Sequence, residues 1–159
     1  MPNTSNKLRI IKLCIERCNL ELSSYPDNYG YILLRGLLFN LVGRYEDALK
    51  DLNKVIEADP EDYTGYFLRG DTLFKQGNIK DAQNDLIRGL KIQVGVSEPG
   101  MKEITNEKIL ELIVLGGDPN KRVSEILNFE KNTILAQSLS SFNWSEMLNE
   151  EDLELLKEN

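Results

Sequence analysis

Between Lys7 and Ser24 apolar residues fall at Leu8, Ile11, Ile15, Cys18 and Leu22, with Cys14 on the same side, at spacings of three and four. That spacing collects them on one face and predicts an amphipathic helix. Pro26 forbids its continuation, and Asp27-Asn28 offers a start for the next. Toward the other end, Met101 to Leu115 reads as a helix that becomes apolar nearly all round at Leu112 to Leu115, which predicts deep burial. Gly116-Gly117-Asp118-Pro119 stops it and supplies a cap and a first helical position for a helix from Pro119 to about Lys131, with Val123, Ile126 and Leu127 on one face. Thr133 to Leu139 reads as a further short helix broken at Ser140-Ser141-Phe142-Asn143. Asn143-x-x-Glu146 then has the form of a capping box for a last helix to about Lys157, with Trp144, Leu148 and Leu155 near one stripe, Met147 beside them and acids opposite.

The middle of the chain repeats itself. Tyr29 to Pro60 and Tyr63 to Val94 align without a gap at an offset of 34, with the same residue at Tyr29/Tyr63, Leu34/Leu68, Arg35/Arg69, Gly36/Gly70, Gly43/Gly77, Asp47/Asp81, Ala48/Ala82, Asp51/Asp85 and Leu52/Leu86. A fixed period in this range signals stacked supersecondary units. Pro26 precedes Pro60 by the same interval, and Cys14 and Cys18 fall in register with Ala48 and Leu52. The first helix is therefore expected to be the second half of a preceding unit.

These residues resemble the tetratricopeptide repeat (TPR) family, whose pattern sets a large residue, Leu-Gly, an aromatic, Ala-x-x-x-Phe and a closing Pro over 34 positions. The places hold Ile32, Arg35-Gly36, Phe39, Ala48, Leu52 and Pro60 in the first copy, and Tyr66, Arg69-Gly70, Leu73, Ala82, Leu86 and Val94 in the second. Arg stands where Leu is usual in both; the simplest reading is an edge residue with a buried stem and a solvated head. The resemblance implies an all-α solenoid of antiparallel helix pairs. Gly36 with Ala48, and Gly70 with Ala82, would let the paired helices approach, while Gly43 and Gly77 would turn the hairpins. The expected organisation is one helical-repeat domain over 1–159: an N-terminal helix in repeat register (7–28), repeats at 29–62 and 63–96, a degenerate hairpin (101–131) and C-terminal capping or tail helices (132–159). Ile92 to Gly100, with two Gly and one Pro, reads as a loop or a frayed helix end and is the best internal boundary.

Composition narrows the function classes. The net charge is −7, and Glu146, Glu150, Glu151, Asp152, Glu154 and Glu158 place most of it in the last fifteen residues. No clustered Lys/Arg face is present to bind phosphates, so nucleic acid is not an expected partner. No apolar run is long enough for a membrane span, and the polar N-terminus lacks a signal-peptide pattern, so the expectation is a cytoplasmic chain without membrane attachment. Histidine is absent, which removes the commonest general base and nitrogen metal ligand. Two cysteines alone fall short of a zinc site, so Cys14 and Cys18 read as packed thiols. No phosphate loop or nucleophile motif occurs. The expectation is no catalytic site, no cofactor and no metal.

By the resemblance, the inner surface would be lined by the first helix of each pair. Its positions would be Gly30, Leu33, Leu37, Asn40 and Leu41 in the first copy and Thr64, Phe67, Asp71, Phe74 and Lys75 in the second. One branch of the family holds acidic C-terminal tails with Lys and Asn on this surface; Leu33 and Leu37 stand where that clamp would need them, so a different ligand is expected. An apolar patch of this size calls for a cover. The candidates are a partner's amphipathic helix or extended peptide, this chain's Trp144 to Leu156 helix, or simple packing against the terminal helices. The leading expectation is a protein-binding adaptor or assembly subunit; the alternatives are a client chaperone, of the type III secretion kind or an assembly chaperone, that shields an apolar segment and, behind both, an enzyme or a regulatory fragment of one. Leu37 against Asp71 and Leu41 against Lys75 make the surface apolar at one end and polar at the other, a polarity the ligand should share.

Overall fold

Helix ends in the repeats fall where the chain supplies caps. A computed structural model describes residues 4–95, 118–144 and 147–157. Its helices are α1 (Thr4–Ser24), α2 (Tyr29–Leu41), α3 (Tyr45–Ala58), α4 (Tyr63–Lys75), α5 (Ile79–Val94), α6 (Pro119–Ser141) and α7 (Glu150–Lys157), with no strand among the described residues. Side-chain oxygens of Asn28, Asp62 and Asp118 accept backbone N–H bonds at the starts of α2, α4 and α6. At the hairpin turns Gly43 (φ 79°) and Gly77 (φ 84°) are left-handed, a conformation that only glycine adopts without strain. Gly43 N donates to Asn40 O and Arg44 N to Phe39 O; Gly77 to Phe74 O and Asn78 to Leu73 O repeat the pair. These are two Schellman closures 34 residues apart, the physical content of the Gly43/Gly77 match.

The paired helices cross at their small residues. A side chain built on Gly36 would start 3.2 Å from Leu52 Cγ, and one on Gly70 would start 3.3 Å from both Ala82 O and Asp85 Cβ. Ala48, Leu52, Ala82 and Leu86 are fully buried there. The all-α solenoid arrangement expected from the repeats is the one observed, with α2 and α3, α3 and α4, and α4 and α5 packed in succession.

Several expectations change. Leu8 is 41% exposed while Ile10 is fully buried, because the buried stripe of α1 runs through Ile10, Cys14 and Cys18 with Ile11, Ile15 and Leu22 beside it. Helix α5 continues through Ile92 to Val94 and stops at left-handed Gly95, so of the two readings of this segment its start is a helix end and not a loop. The two helices expected at 119–131 and 133–139 are one, α6, because nothing between Asn120 and Ser141 breaks a helix. The last helix starts at Glu150: Asn149 Oδ1 accepts from Asp152 N at 2.8 Å and Asn149 N donates to Asp152 Oδ2, so the capping box is Asn149-x-x-Asp152. With that later start Leu156, at 1% exposure, faces inward and Leu155 is only partly buried. The Met101 to Leu115 helix, its Gly116-Gly117 stop and Glu146 lie outside the described residues.

Helix α1 meets α2 as α3 meets α4. Asn19 Oδ1 accepts from Arg35 Nη1 at 2.9 Å, and Asn53 Oδ1 from Arg69 Nη1 at 2.9 Å. Helix α7 packs on α1 and α6, with Arg9 and Asp152 3.7 Å apart at its edge. No helix among the described residues is long and apolar enough to cross a membrane.

Candidate functional site on the face of α2 and α4

The first helices of the two pairs, α2 and α4, present the residues expected to form a ligand surface, and α6 lies across them. Its stripe of Val123, Leu127, Lys131, Ile134, Leu135 and Leu139 recurs at spacings of three and four and is buried along its whole length. The crossing is close: a side chain built on Gly70 would begin 3.1 Å from Leu127 Cδ2. Beyond α6, Phe142 stacks on Tyr31 with ring centroids 4.3 Å apart, Trp144 stands edge-on to Phe142 at 6.0 Å, and Trp144 Nε1 donates to Leu139 O at 3.0 Å.

Most of the expected surface residues are therefore not open to solvent, although Gly30, beside Phe142, remains exposed. Leu37 and Phe67 are fully buried, Asn40 and Asp71 nearly so, and Leu33, Leu41 and Phe74 partly buried against the same core. Lys75 keeps about a third of its side chain exposed, at 32%. The cover comes from this chain, but not from the helix beginning at Trp144: α7 sits on α1 and α6, and Phe142 reaches the edge of the face at Tyr31 and Gly30.

Four of the expected positions have polar or charged side chains, and the structure joins three of them. Asn40 Nδ2 donates to Asp71 Oδ2 at 2.9 Å and to Thr72 Oγ1 at 2.9 Å, while Asn40 Oδ1 accepts from Lys75 Nζ at 3.1 Å. Asp71 Oδ2 also lies 3.2 Å from Lys75 Nζ and 3.3 Å from Lys131 Nζ. Thr64 stays apart, its hydroxyl and amide bound to Asp62. Lys131 was not anticipated from the sequence. Its signal was available, a lysine four residues after Leu127 and four before Leu135, inside an apolar stripe. Burial pushes its amine down to about 8, against the pull of Asp71.

Arg35 and Arg69 are not solvated edge residues. Arg35 forms a two-pronged pair with Asp51 (Nε to Oδ2 2.7 Å, Nη2 to Oδ1 2.8 Å), and Arg69 forms the same fork with Asp85 at the same distances. The hydrogen bonds to the carboxylates raise both guanidinium pKa values. Burial pushes the Asp85 carboxyl up while Arg69 pulls it down, so the fork offsets a real desolvation cost. Cys14 and Cys18 are buried thiols pushed up to about 12, chiefly by burial. Among the described residues no group of acids and thiols is placed to hold a metal. An open depression between α3 and α5 contains Arg69 and Asp85, whose polar atoms are already paired.

Residues 36–91 match the family model of the TPR repeat. The chain is 33% identical over 104 residues to DnaJ homolog subfamily C member 3 of Homo sapiens, covering 65% of this chain and 19% of that protein. It is 38% identical over 66 residues to the Bos taurus protein of the same name, covering 42% of this chain and 13% of the relative. The chain thus spans less than a fifth of the length of these relatives. No solved structure matches the chain.

Proposed function

We propose a function from one premise, that this chain carries tetratricopeptide repeats: it is a protein-interaction module whose α2–α4 face receives a helical segment of a partner, with α6 holding that place in the unliganded chain. The observation that carries this reading is the seating of α6. A helix with a single buried stripe fills a surface whose outline comes from the repeats, and two of the polar positions on it, Asn40 and Asp71, are bonded to each other beneath that helix. Helix-in-groove recognition uses such anchors at spacings of three and four. The site comprises Leu33, Leu37, Asn40, Leu41, Phe67, Asp71, Phe74 and Lys75. No catalytic step belongs to this reading.

The test compares partner capture by the full chain and by a full chain carrying Leu127→Asp, which weakens α6 at its closest approach to α4. A partner of this face should be enriched on the variant and released by a peptide of residues 118–142. Capture that neither the substitution nor the peptide changes would place the binding surface elsewhere.

Similarity to DnaJ homolog subfamily C member 3 favours a chaperone-linked version, in which the segment received is an apolar stretch of an incompletely folded client. Under that version the Leu127→Asp chain suppresses aggregation of an unfolding client at stoichiometric ratios more strongly than the parent. Equal, negligible suppression by both leaves the adaptor role alone.

A further inference from the structure

The helix that fills the α2–α4 face carries one residue at odds with its surroundings. Lys131 is 3% exposed, with Leu127 and Leu135 one turn to either side in the buried stripe. The oxygen it meets, Asp71 Oδ2, also receives Asn40 Nδ2 and Lys75 Nζ. One carboxylate oxygen therefore serves two ammonium groups and an amide, and among the described residues neither ammonium meets a second carboxylate. Lys75 spreads its charge into solvent; Lys131 has no such outlet. Burial accordingly disfavours its charged form.

Replacing buried charges by packed apolar side chains of similar volume is often neutral or stabilising, whereas removing one partner destabilises when it strands the other charge. No charge is stranded here. Without Lys131, Asp71 would keep its bonds to Asn40 and Lys75. The charged residue is thus a defect in the fit of α6, placed at the middle of its contact.

We propose that Lys131 makes α6 a weak resident of the face, and that the partner helix it gives way to presents an uncharged, apolar side chain at the place of Lys131, with apolar residues at the places of Val123, Leu127, Ile134 and Leu135. This rests on the reading of the α2–α4 face as a helix-receiving site. The resident has the advantage of tethering, worth an effective concentration on the order of millimolar, so an arriving helix needs a better fit to displace it. The uncharged residue supplies it.

The probes are two labelled peptides of residues 118–142, one unaltered and one with Lys131→Met. Each is titrated against the full-length parent and full-length Leu127→Asp, whose helical content is checked by circular dichroism. The Lys131→Met peptide should bind the Leu127→Asp chain at least about tenfold tighter than the unaltered peptide, the sense expected when a buried charge is replaced. It should also enter the parent more readily than it enters a full-length Lys131→Met chain. Equal binding of the two peptides, or preference for the lysine, overturns the inference while leaving the face a helix site. Failure of both peptides to bind the Leu127→Asp chain overturns the reading of the face itself. If that variant loses its helical content, the parent decides: uptake of the Lys131→Met peptide supports the inference, and no uptake up to millimolar peptide overturns it.

Discussion

In the Arg–Asp forks and at Lys131, the protein sets a buried or half-buried cation against a carboxylate in two different ways. Arg35 and Arg69 each meet a carboxylate of their own through two parallel bonds, remain partly exposed and donate a third bond to an asparagine of the preceding helix. Lys131 meets one oxygen already engaged by two other donors, and it has almost no solvent. The pKa values respond in opposite directions, raised for the arginines by the bond to the carboxylate and lowered for the lysine by burial. The forks repeat at 34 residues and close each helix pair; the lysine contact does not repeat, and it joins elements 60 residues apart. What recurs is scaffold. What breaks the repeat is the part that can change.

The largest effect should come from removing the acid on the lysine side. Asp71→Ala leaves Lys131 buried with no carboxylate and should lower unfolding free energy by about 3 kcal/mol or more, as for other broken buried pairs, measured by urea denaturation. Next comes Arg35→Met, which leaves Asp51 nearly buried and unpaired; because the arginine is one-fifth exposed, the loss should be about 2–3 kcal/mol. Arg35→Lys should recover only part of it, since an ammonium cannot supply the two-pronged fit. The same change of cation to Met at the other site sharpens the comparison. Lys131→Met should be neutral or stabilising by about 1 kcal/mol, because no charge is stranded.

The smallest effect is a pH dependence. The folded amine of Lys131 sits at about 8, below the ordinary lysine value, so between the two values the unfolded chain holds more protons. The Lys131 contribution to unfolding free energy therefore rises with pH across that window, and its cost is fully present below about 8. The stability advantage of Lys131→Met over the parent, measured by denaturation from pH 7 to 10, should shrink as pH rises; the Cys14 and Cys18 thiols, pushed up to about 12, lower the stability of both chains alike above about 9. The fork guanidiniums of Arg35 and Arg69, raised by their bonds to carboxylates, should add no rise there.

The repeats were legible because identity at a fixed offset survives any uncertainty about helix ends, and the crossing glycines and turn glycines carried their physical reasons with them. The forks were half legible. Arg35/Arg69 and Asp51/Asp85 were both among the repeated pairs, and Asn19/Asn53 recurs at the same offset, but joining them required knowing that residues 16 apart face each other across an antiparallel pair. The occupant of the face was not legible. A helical stripe says which side of α6 is buried and not which surface receives it, and a contact between Asp71 and Lys131 leaves no periodic trace. The helix end expected at about Lys131 is absent because Asn132 and Thr133 weaken a helix without stopping one, whereas packing along the whole of α6 sustains it.

Hydrogen exchange along the full-length chain, compared between the parent and Lys131→Met, tests most directly whether α6 is a loosely held occupant of a face built by the repeats. The account predicts that amides of α6 exchange in the parent through a local opening well below the global unfolding free energy, while α2 to α5 exchange only near that limit, and that Lys131→Met moves α6 toward it. If α6 already exchanges together with α2 to α5 in the parent, and the substitution leaves it unchanged, then α6 is a fixed part of the core and the account is contradicted.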